Sequence, residues 1–179
     1  MHDPDWIHEA VERYERPLVA YVSRLLGGLE PARDVVQDGF LRLCRQDRSV
    51  VEGHLAEWLF TVCRNLALDQ LRRQHREVVM DTQDSVIATV AADDAPPSQA
   101  LEQAEAKDSV LKLLATLPAR QQELVRLRFQ QGLSYKQIAA VTNLTATNVG
   151  FLIHTAIKAL HTRAPSGLAP VEQEMNHAL

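Results

Sequence analysis

The sequence predicts an all-α protein made of two small helical domains joined by a flexible acidic linker. Three observations support this prediction. Apolar residues recur every three to four positions, as on the buried face of a helix, through residues 5–27, 30–47 and 53–77. The periodicity then fails up to about Ser98, where acids and Pro96-Pro97 are typical of a solvated, extended segment. It returns in a further helix at 99–116 and continues to Leu160, with no convincing strand pattern.

We therefore divide the chain into a domain at 5–78, a linker at 79–98, a domain at 99–163 and a C-terminal tail at 164–179. In the first domain the helices are separated by Gly27-Gly28 with Pro31, and again around Ser49 and Gly53, because glycine and proline interrupt helical patterns. The tail has the composition of a disordered terminus, although a small regulatory extension fits it as well.

The second domain carries the order of signals expected of a helix-turn-helix. Pro118 suits the first turn of a helix, and Gly132 suits its end. Ser134 can cap the next helix with Gln137 as its capping-box partner, and Asn143 tolerates the left-handed backbone of a tight turn. The apolar positions of these two helices are Leu124 and Leu127, then Ile138, Ala139 and Val141.

The last helix of this unit has one buried and one exposed face. Thr145 can cap it, and its apolar stripe is formed by Val149, Ile153, Ala156 and Leu160. The opposite face carries Thr147, Asn148, Phe151, Thr155 and Lys158. Such a helix can enter the major groove of duplex DNA. A three-helix packing unit with a solvated polar face fits the same pattern.

The distribution of charge favours the DNA-binding interpretation. The formal net charge is −4, but residues 109–163 carry seven Lys or Arg against Glu123 alone. Residues 78–108 carry seven Asp or Glu against Lys107 alone. The basic unit is therefore the one that contains the helix-turn-helix.

The remaining composition excludes several classes of protein. Cys44 and Cys63 lack metal-like spacing and sit among apolar helical neighbours, so we expect two buried free thiols. No apolar run is long enough to span a membrane and the first residues lack a signal-peptide pattern, so we expect a cytoplasmic protein without membrane insertion. The seven histidines form no paired metal pattern, and neither a glycine-rich phosphate loop nor a nucleophile motif is present. We expect no catalysis, no metal and no cofactor.

Two groups of residues stand out in the first domain. Asp34 and Asp38 lie one helical turn apart with Gln37 beside them, and they form an acidic face that can dock a basic partner or simply be solvated. The helix from His54 has an apolar stripe followed by basic residues that can hold phosphates or favour the negative end of the helix dipole. The stripe is predicted to contain Trp58, Leu59, Val62, Leu66 and Leu71, and the basic residues are Arg72, Arg73, His75 and Arg76.

Together these segments resemble a known family. Asp-x-x-Gln-Asp-x-Phe begins at Asp34, Trp-Leu-x-x-x-x-Arg-Asn-x-x-x-Asp-x-x-Arg-Arg begins at Trp58, and Leu-Pro followed by Gly-Leu-Ser-Tyr-x-x-Ile-Ala completes the order. The chain resembles bacterial RNA polymerase sigma factors of the sigma-70 family, extracytoplasmic-function (ECF, group 4) type, over residues 10–77 and 108–162. The resemblance implies the two domains called sigma-2 and sigma-4.

The resemblance also implies partners and site residues. The residues that match the polymerase-binding helix, which docks on the clamp helices of the largest subunit, are Asp34, Gln37, Asp38, Phe40 and Leu41. Those that match the region reading and melting the minus 10 element are Trp58, Arg64, Asn65, Arg72, Arg73 and Arg76. Those that match the minus 35 reader are Ser134, Tyr135, Lys136, Thr145, Thr147, Asn148, Phe151, His154, Thr155 and Lys158. The implied partners are core RNA polymerase, including its flap, and promoter DNA, with an anti-sigma factor as a further candidate.

The last helix departs from the family pattern. Family members usually have Thr-Val-Lys-Ser-Arg-Leu-x-Arg-Ala-Arg, whereas this chain has Asn-Val-Gly-Phe-Leu-Ile-His-Thr-Ala-Ile from Asn148. Asn148 can bond a base edge, and Phe151 can pack on a thymine methyl group or bind a protein. Gly150 weakens the helix and indicates either close approach of another group or drift. We therefore expect an unusual minus 35 preference, or weak dependence on that element.

Two functions remain open at this stage. The first is a sigma factor that recruits polymerase and directs promoter-specific initiation. The second is a stand-alone helix-turn-helix regulator whose first domain senses a signal or dimerises. The residues from Asp34 to Arg76 discriminate between them, because a stand-alone regulator does not need them.

Overall fold

The computed structural model describes residues 4–81 and 110–163 of the 179-residue chain. Every regular element in these two ranges is a helix, which confirms the all-α prediction. By their contacts, residues 4–81 belong to one compact unit and 110–163 to another. We call them the N-terminal unit and the C-terminal unit. Residues 82–109, which include most of the predicted linker, and the predicted tail lie outside the described residues.

The N-terminal unit consists of four helices. They are α1 (Pro4–Leu26), α2 (Leu29–Leu43), α3 (Arg48–Val51) and α4 (Leu55–Asp81). Gly27, with φ of 73°, ends α1 and donates its N–H to the Ser23 carbonyl at 2.8 Å. Only glycine adopts this left-handed backbone at low cost, which explains why the helix ends there.

The second helix is shorter than predicted. We expected it to run to Asp47 with a break near Ser49, but α2 ends at Leu43 and Ser49 lies inside α3. The turn tightens after Leu43, because the Arg45 and Gln46 N–H groups donate three residues back, at 3.2 and 2.9 Å. The chain then turns so that Val51 also enters the core, where it is 1% exposed.

Helices α1, α2 and α4 pack against one another around a mixed aromatic and aliphatic core. The rings of Tyr21 and Phe60 meet edge to face with centroids 5.3 Å apart. The predicted apolar stripe of α4 was wrong in most of its members, because α1 and α2 cover a different face. The buried residues of that face are Leu59, Phe60, Cys63 and Ala67, whereas Trp58, Val62, Leu66 and Leu71 are only half-buried.

Close packing of α2 on α4 depends on a glycine. A Cβ atom at Gly39 would lie 2.6 Å from the Cys63 sulfur, so no larger residue fits without a shift. Burial raises the pKa of Cys63 to about 12, an effect that the charge of Arg42 opposes, and the thiol therefore stays protonated. The expectation of two buried thiols was wrong for Cys44, which is exposed because it follows α2 at the surface.

The C-terminal unit contains a helical segment at 110–115 (α5), α6 (Ala119–Phe129), α7 (Tyr135–Thr142) and α8 (Ala146–Arg163). Arg163 at the end of α8 donates to the Thr116 hydroxyl at 2.8 Å and to its carbonyl at 3.2 Å. This contact fastens the end of α8 to the turn after α5. One cluster of the core contains Val110, Leu114, Leu117, Val125, Ala156 and Leu160.

The predicted helix-turn-helix signals are present in the structure. Ser134 accepts a hydrogen bond from the Gln137 N–H at 3.3 Å, and Gln137 accepts one from the Ser134 N–H at 2.9 Å, which completes the capping box. Asn143 is left-handed, with φ of 56°. Pro118 was expected in the first turn of the helix but precedes it as the N-cap, with extended ψ of 142°, and α6 ends at Phe129, before the left-handed Gly132.

Candidate nucleic-acid and polymerase interface

One face of α2 presents an exposed acidic stripe, formed by Asp34, Gln37, Asp38 and Leu41. Asp34 and Asp38 are four residues apart with Gln37 beside Asp38, Leu41 follows one turn later, and this leucine is 51% exposed. The opposite face enters the core through Ala32, Val35, Val36, Gly39 and Leu43. Phe40, the remaining predicted member of this site, is half-buried beside the stripe.

The carboxylates of the acidic stripe are available to a partner. Among the described residues, no ion pair involves Asp34 or Asp38. The adjacent Arg33 is held instead by Glu30, at 2.8 Å one turn back. No described cation therefore pairs with the stripe, and an exposed leucine stands at its end. Such a surface suits a basic partner with an apolar spot.

The second half of α4 carries the arginine cluster, formed by Arg72, Arg73 and Arg76. All three are exposed. Arg72 pairs with Asp69 at 3.0 Å, and the Arg76 Nε donates to the Arg72 carbonyl at 3.3 Å. Both contacts lie along the surface of one helix, and exposed pairs of this kind hold a side chain only weakly. The three guanidinium groups remain free to contact phosphates.

The other predicted minus 10 residues are not brought to the arginine cluster. Trp58 stands in the first turn of α4, about 21 Å along the helix from Arg72 at the usual rise per residue. Arg64 and Asn65 lie between them, half-buried and exposed respectively. The structure thus spreads the six predicted residues along one helix, with the flat aromatic ring at one end and the cations at the other.

The third predicted site lies on α8 and the start of α7. Val149, Ile153, Ala156 and Leu160 are buried, which confirms the predicted apolar stripe. All ten residues predicted for the minus 35 site are exposed, namely Ser134, Tyr135, Lys136, Thr145, Thr147, Asn148, Phe151, His154, Thr155 and Lys158.

Three of these ten residues use their hydroxyl groups within the protein. Ser134 takes part in the capping box, and the Thr145 hydroxyl accepts from the Asn148 N–H at 3.2 Å. The Thr155 hydroxyl donates to the Phe151 carbonyl at 2.8 Å. These three hydroxyl groups therefore stabilise the helix ends and the helix itself. The side chains left to contact a partner include those of Asn148 and Phe151 and the cations Lys136 and Lys158.

A contact that the sequence did not predict joins α6, α7 and α8. The Arg128 guanidinium lies 5.3 Å from the centre of the Tyr135 ring and donates to the Leu133 carbonyl at 3.1 Å. A Cβ atom at Gly150 would lie 3.5 Å from the same ring. The group that approaches Gly150 is therefore Tyr135. Nothing in the local sequence around Arg128 indicates this contact, because its partners lie on other elements.

Other kinds of site are not found in the ranges 4–81 and 110–163. No group of three or more His, Cys, Asp or Glu residues there is arranged to hold a metal ion. In the described part of the chain, no helix combines the length and apolar composition needed to cross a bilayer.

Comparison with known proteins identifies the family. Residues 10–77 match the family model of sigma-70 region 2, and residues 107–160 match that of sigma-70 region 4. The chain is 31% identical over 145 residues to the ECF RNA polymerase sigma factor SigL of Mycobacterium tuberculosis, which covers 78% of both chains. The chain belongs to the ECF group of the sigma-70 family.

Other relatives agree with this membership. The ECF sigma factor SigW of Bacillus subtilis is 22% identical over 165 residues, covering 88% of both chains. The sigma factor RpoE of Bartonella quintana, solved in complex with the anti-sigma factor NepR, has the same fold. Its TM-score is 0.65 at 24% identity, and the match covers 87% of this chain and 94% of that one.

As an ECF sigma factor, the protein binds RNA polymerase core and directs transcription initiation at promoter DNA. A stand-alone regulator is not favoured, because the region 2 match spans residues 10–77, which such a regulator does not need.

Proposed function

We propose that the acidic stripe of α2 is the surface through which this sigma factor docks on the clamp helices of the largest polymerase subunit. The observation that carries the proposal is the pair of exposed aspartates, Asp34 and Asp38, without an ion-pair partner among the described residues. Leu41 adds an apolar contact at the end of the stripe, and half-buried Phe40 supports it from the side. Complementary charge would speed the encounter with a basic partner surface.

Helix α4 would act on the minus 10 element. In this proposal the arginine cluster holds phosphates of the opened strand, and Trp58, Arg64 and Asn65 act further along the helix. Holding an unstacked base requires an aromatic surface, polar edges and phosphate contacts, and α4 contains all three kinds of group.

Helix α8 would act on the minus 35 element. Its N-terminal half offers Thr147, Asn148 and Phe151, while His154 and Lys158 lie toward the other end. Lys136 and Tyr135, at the start of α7, would contact the DNA backbone beside it, and the polymerase flap would bind this unit elsewhere. The proposal assigns these roles to domains at 5–78 and 99–163, joined by the linker at 79–98 and followed by the tail.

This protein would act in the cytoplasm. It would catalyse no reaction itself and would act only by binding the polymerase and the opened DNA. An anti-sigma factor is a candidate regulator, since the related RpoE is found in complex with one.

Run-off transcription with core polymerase, with and without the full chain, tests the proposed function on genomic promoter fragments. We expect promoter-selective transcripts only when the protein is present. The double variant Asp34→Asn/Asp38→Asn should weaken binding to core by about tenfold or more, whereas Glu15→Gln, which removes an exposed charge from α1, should not. Undiminished core binding by the double variant would refute the docking surface. Duplex binding by the isolated protein as a dimer, without polymerase selectivity, would favour a stand-alone regulator.

A further inference from the structure

We propose that Phe151 reads a thymine of the minus 35 element by packing its ring on the 5-methyl group in the major groove. The inference deepens the proposed role of α8 and rests on it.

The exposure of Phe151 is the first support. Its side chain is 67% exposed, the largest value among the exposed large apolar residues of the described ranges. A single exposed apolar side chain is common on protein surfaces. This one, however, lies in the N-terminal half of the second helix of a helix-turn-helix, the part that approaches base edges in a major groove.

The neighbours of Phe151 suit base edges. Asn148 lies one turn before it and Thr155 one turn after it, both exposed on the same face. An asparagine amide matches the hydrogen-bonding edge of adenine, and an aromatic ring or other apolar group matches the methyl group of thymine. Together they favour a site rich in A·T pairs.

Charge favours DNA over a protein as the occupant of this face. Neither α7 nor α8 contains an aspartate or glutamate, and the exposed cations Lys136 and Lys158 lie before and after Phe151 in the chain. A protein hot spot usually needs several buried apolar groups around its anchor. Besides Phe151, the one exposed large apolar residue of α7 and α8 is Tyr135, and the Arg128 guanidinium lies over its ring.

Tyr135 also explains how the face is shaped. The ring of Tyr135 lies beside Gly150, where a Cβ atom would be 3.5 Å from it, and Phe151 is the next residue of α8. The resulting surface has fewer cations to hold phosphates than the usual family pattern, and one large apolar group at the base-reading position. We therefore expect this helix to recognise DNA less by charged contacts with phosphates and more by apolar contact with a base.

The experiment uses holoenzyme assembled from core polymerase and the full chain. Duplexes with a randomised minus 35 region are first selected for binding, and selected thymines are then replaced one at a time by deoxyuridine, which removes only the methyl group. We expect one replacement to weaken wild-type binding about fourfold, the effect of losing one buried methyl contact. With Phe151→Ser the thymine and deoxyuridine duplexes should bind equally.

Lys158→Ala is the matched control on the same helix. It should weaken binding to both duplexes alike and keep the fourfold ratio, because a phosphate contact does not sense the base. Thermal melting of the Phe151→Ser variant should match that of wild type, since the ring is mostly exposed.

Three results would overturn the proposal. The first is wild-type holoenzyme that is insensitive to every replacement, and the second is a Phe151→Ser variant that keeps the fourfold ratio. The third is loss of binding to core polymerase itself by the variant, which would make Phe151 a protein contact. In each case promoter-selective transcription directed by the wild-type chain would leave the proposed function standing, whereas its absence would remove both.

Discussion

The candidate binding surfaces of the two units differ in their chemistry. The N-terminal unit exposes two aspartates on α2 and three arginines on α4, whereas α8 of the C-terminal unit presents amide, hydroxyl and aromatic groups with only a few cations. Contacts between charges gain affinity by releasing counterions and weaken in salt, whereas base-edge contacts supply sequence preference. We infer that the arginine cluster contributes mainly affinity for DNA and that the exposed face of α8 contributes mainly sequence preference.

The interiors of the two units differ as well. The N-terminal unit depends on close contacts between distant helices, such as the Tyr21–Phe60 ring pair and the approach of Gly39 to Cys63. The C-terminal unit has an aliphatic core and relies on local turn chemistry at Ser134 and Asn143. Core substitutions should therefore destabilise either unit, whereas the turn residues Ser134 and Asn143 matter in the second.

The largest effect is expected from Phe60→Ala, which should destabilise the N-terminal unit by about 3–5 kcal/mol because a buried ring and its contact with Tyr21 are lost. Both tryptophans of the chain, Trp6 and Trp58, belong to this unit, so urea denaturation followed by tryptophan fluorescence reports on it alone. Leu114→Ala in the other unit should change the far-ultraviolet circular dichroism transition only. A fluorescence transition that moves equally with Leu114→Ala would contradict separate cores.

Next in size is the removal of the arginine cluster. Replacing Arg72, Arg73 and Arg76 with Ala should lower the affinity of holoenzyme for promoter DNA roughly a hundredfold, at about 1 kcal/mol per lost contact. The slope of log affinity against log salt should fall by about 2–3. Lys158→Ala on α8 should change that slope less than Arg76→Ala, the single substitution in the cluster that matches it in charge. Filter binding over a salt series measures both the affinity and the slope. Equal slope changes for α4 and α8 would contradict the inferred difference between the two surfaces.

Glycine-to-alanine changes in the two units should have opposite signs. Gly39→Ala should destabilise by about 1–3 kcal/mol, because the new Cβ meets the Cys63 sulfur. Gly150→Ala should stabilise by up to about 1 kcal/mol, since its Cβ makes an ordinary contact with Tyr135 and alanine favours helix. Thermal melting of both variants tests the sign. The cost of Gly39→Ala should shrink in a Cys63→Ala background, and an unchanged cost would exclude the clash as its cause.

The smallest effect concerns the helix cap. Ser134→Ala should cost about 1 kcal/mol by leaving the Gln137 N–H without its acceptor. Ser134→Asp, which keeps a side-chain acceptor at the cap, should retain most of the stability. Chemical denaturation of both variants distinguishes the cap from other roles of Ser134, and equal losses in both would argue against it.

Structural features that depend on a few neighbouring residues could be predicted from the sequence. The capping box at Ser134 and the left-handed Asn143 depend on chemistry within three or four positions, and both stand in the structure as predicted. The exposed positions of α8, and those of α2 apart from half-buried Phe40, could also be predicted, because helical spacing separates them from the apolar stripes. Sequence could not place Tyr135 over Gly150, since that contact joins two helices.

The predictions of burial were wrong where the buried face of a helix depends on the element that packs against it. Helix α4 is apolar on more than one side, so its own sequence does not say whether Phe60 and Cys63 or Trp58 and Val62 are buried. Contact with α1 and α2 decides it. Likewise the position of Cys44 follows from the end of α2 at the surface, and the continuation of the apolar pattern to Val51 concealed that end.

The sequence by itself determined the helical class, the helix-turn-helix and the family, because these depend on local backbone chemistry and on motifs in a fixed order. Only the tertiary structure decided which face of α4 is core, why Gly39 must lack a side chain, and how Arg128 and Tyr135 meet beside Gly150. The physical reason is that burial and close approach are properties of pairs of surfaces. One helix can specify its own ends, but its partner determines which of its faces is excluded from water.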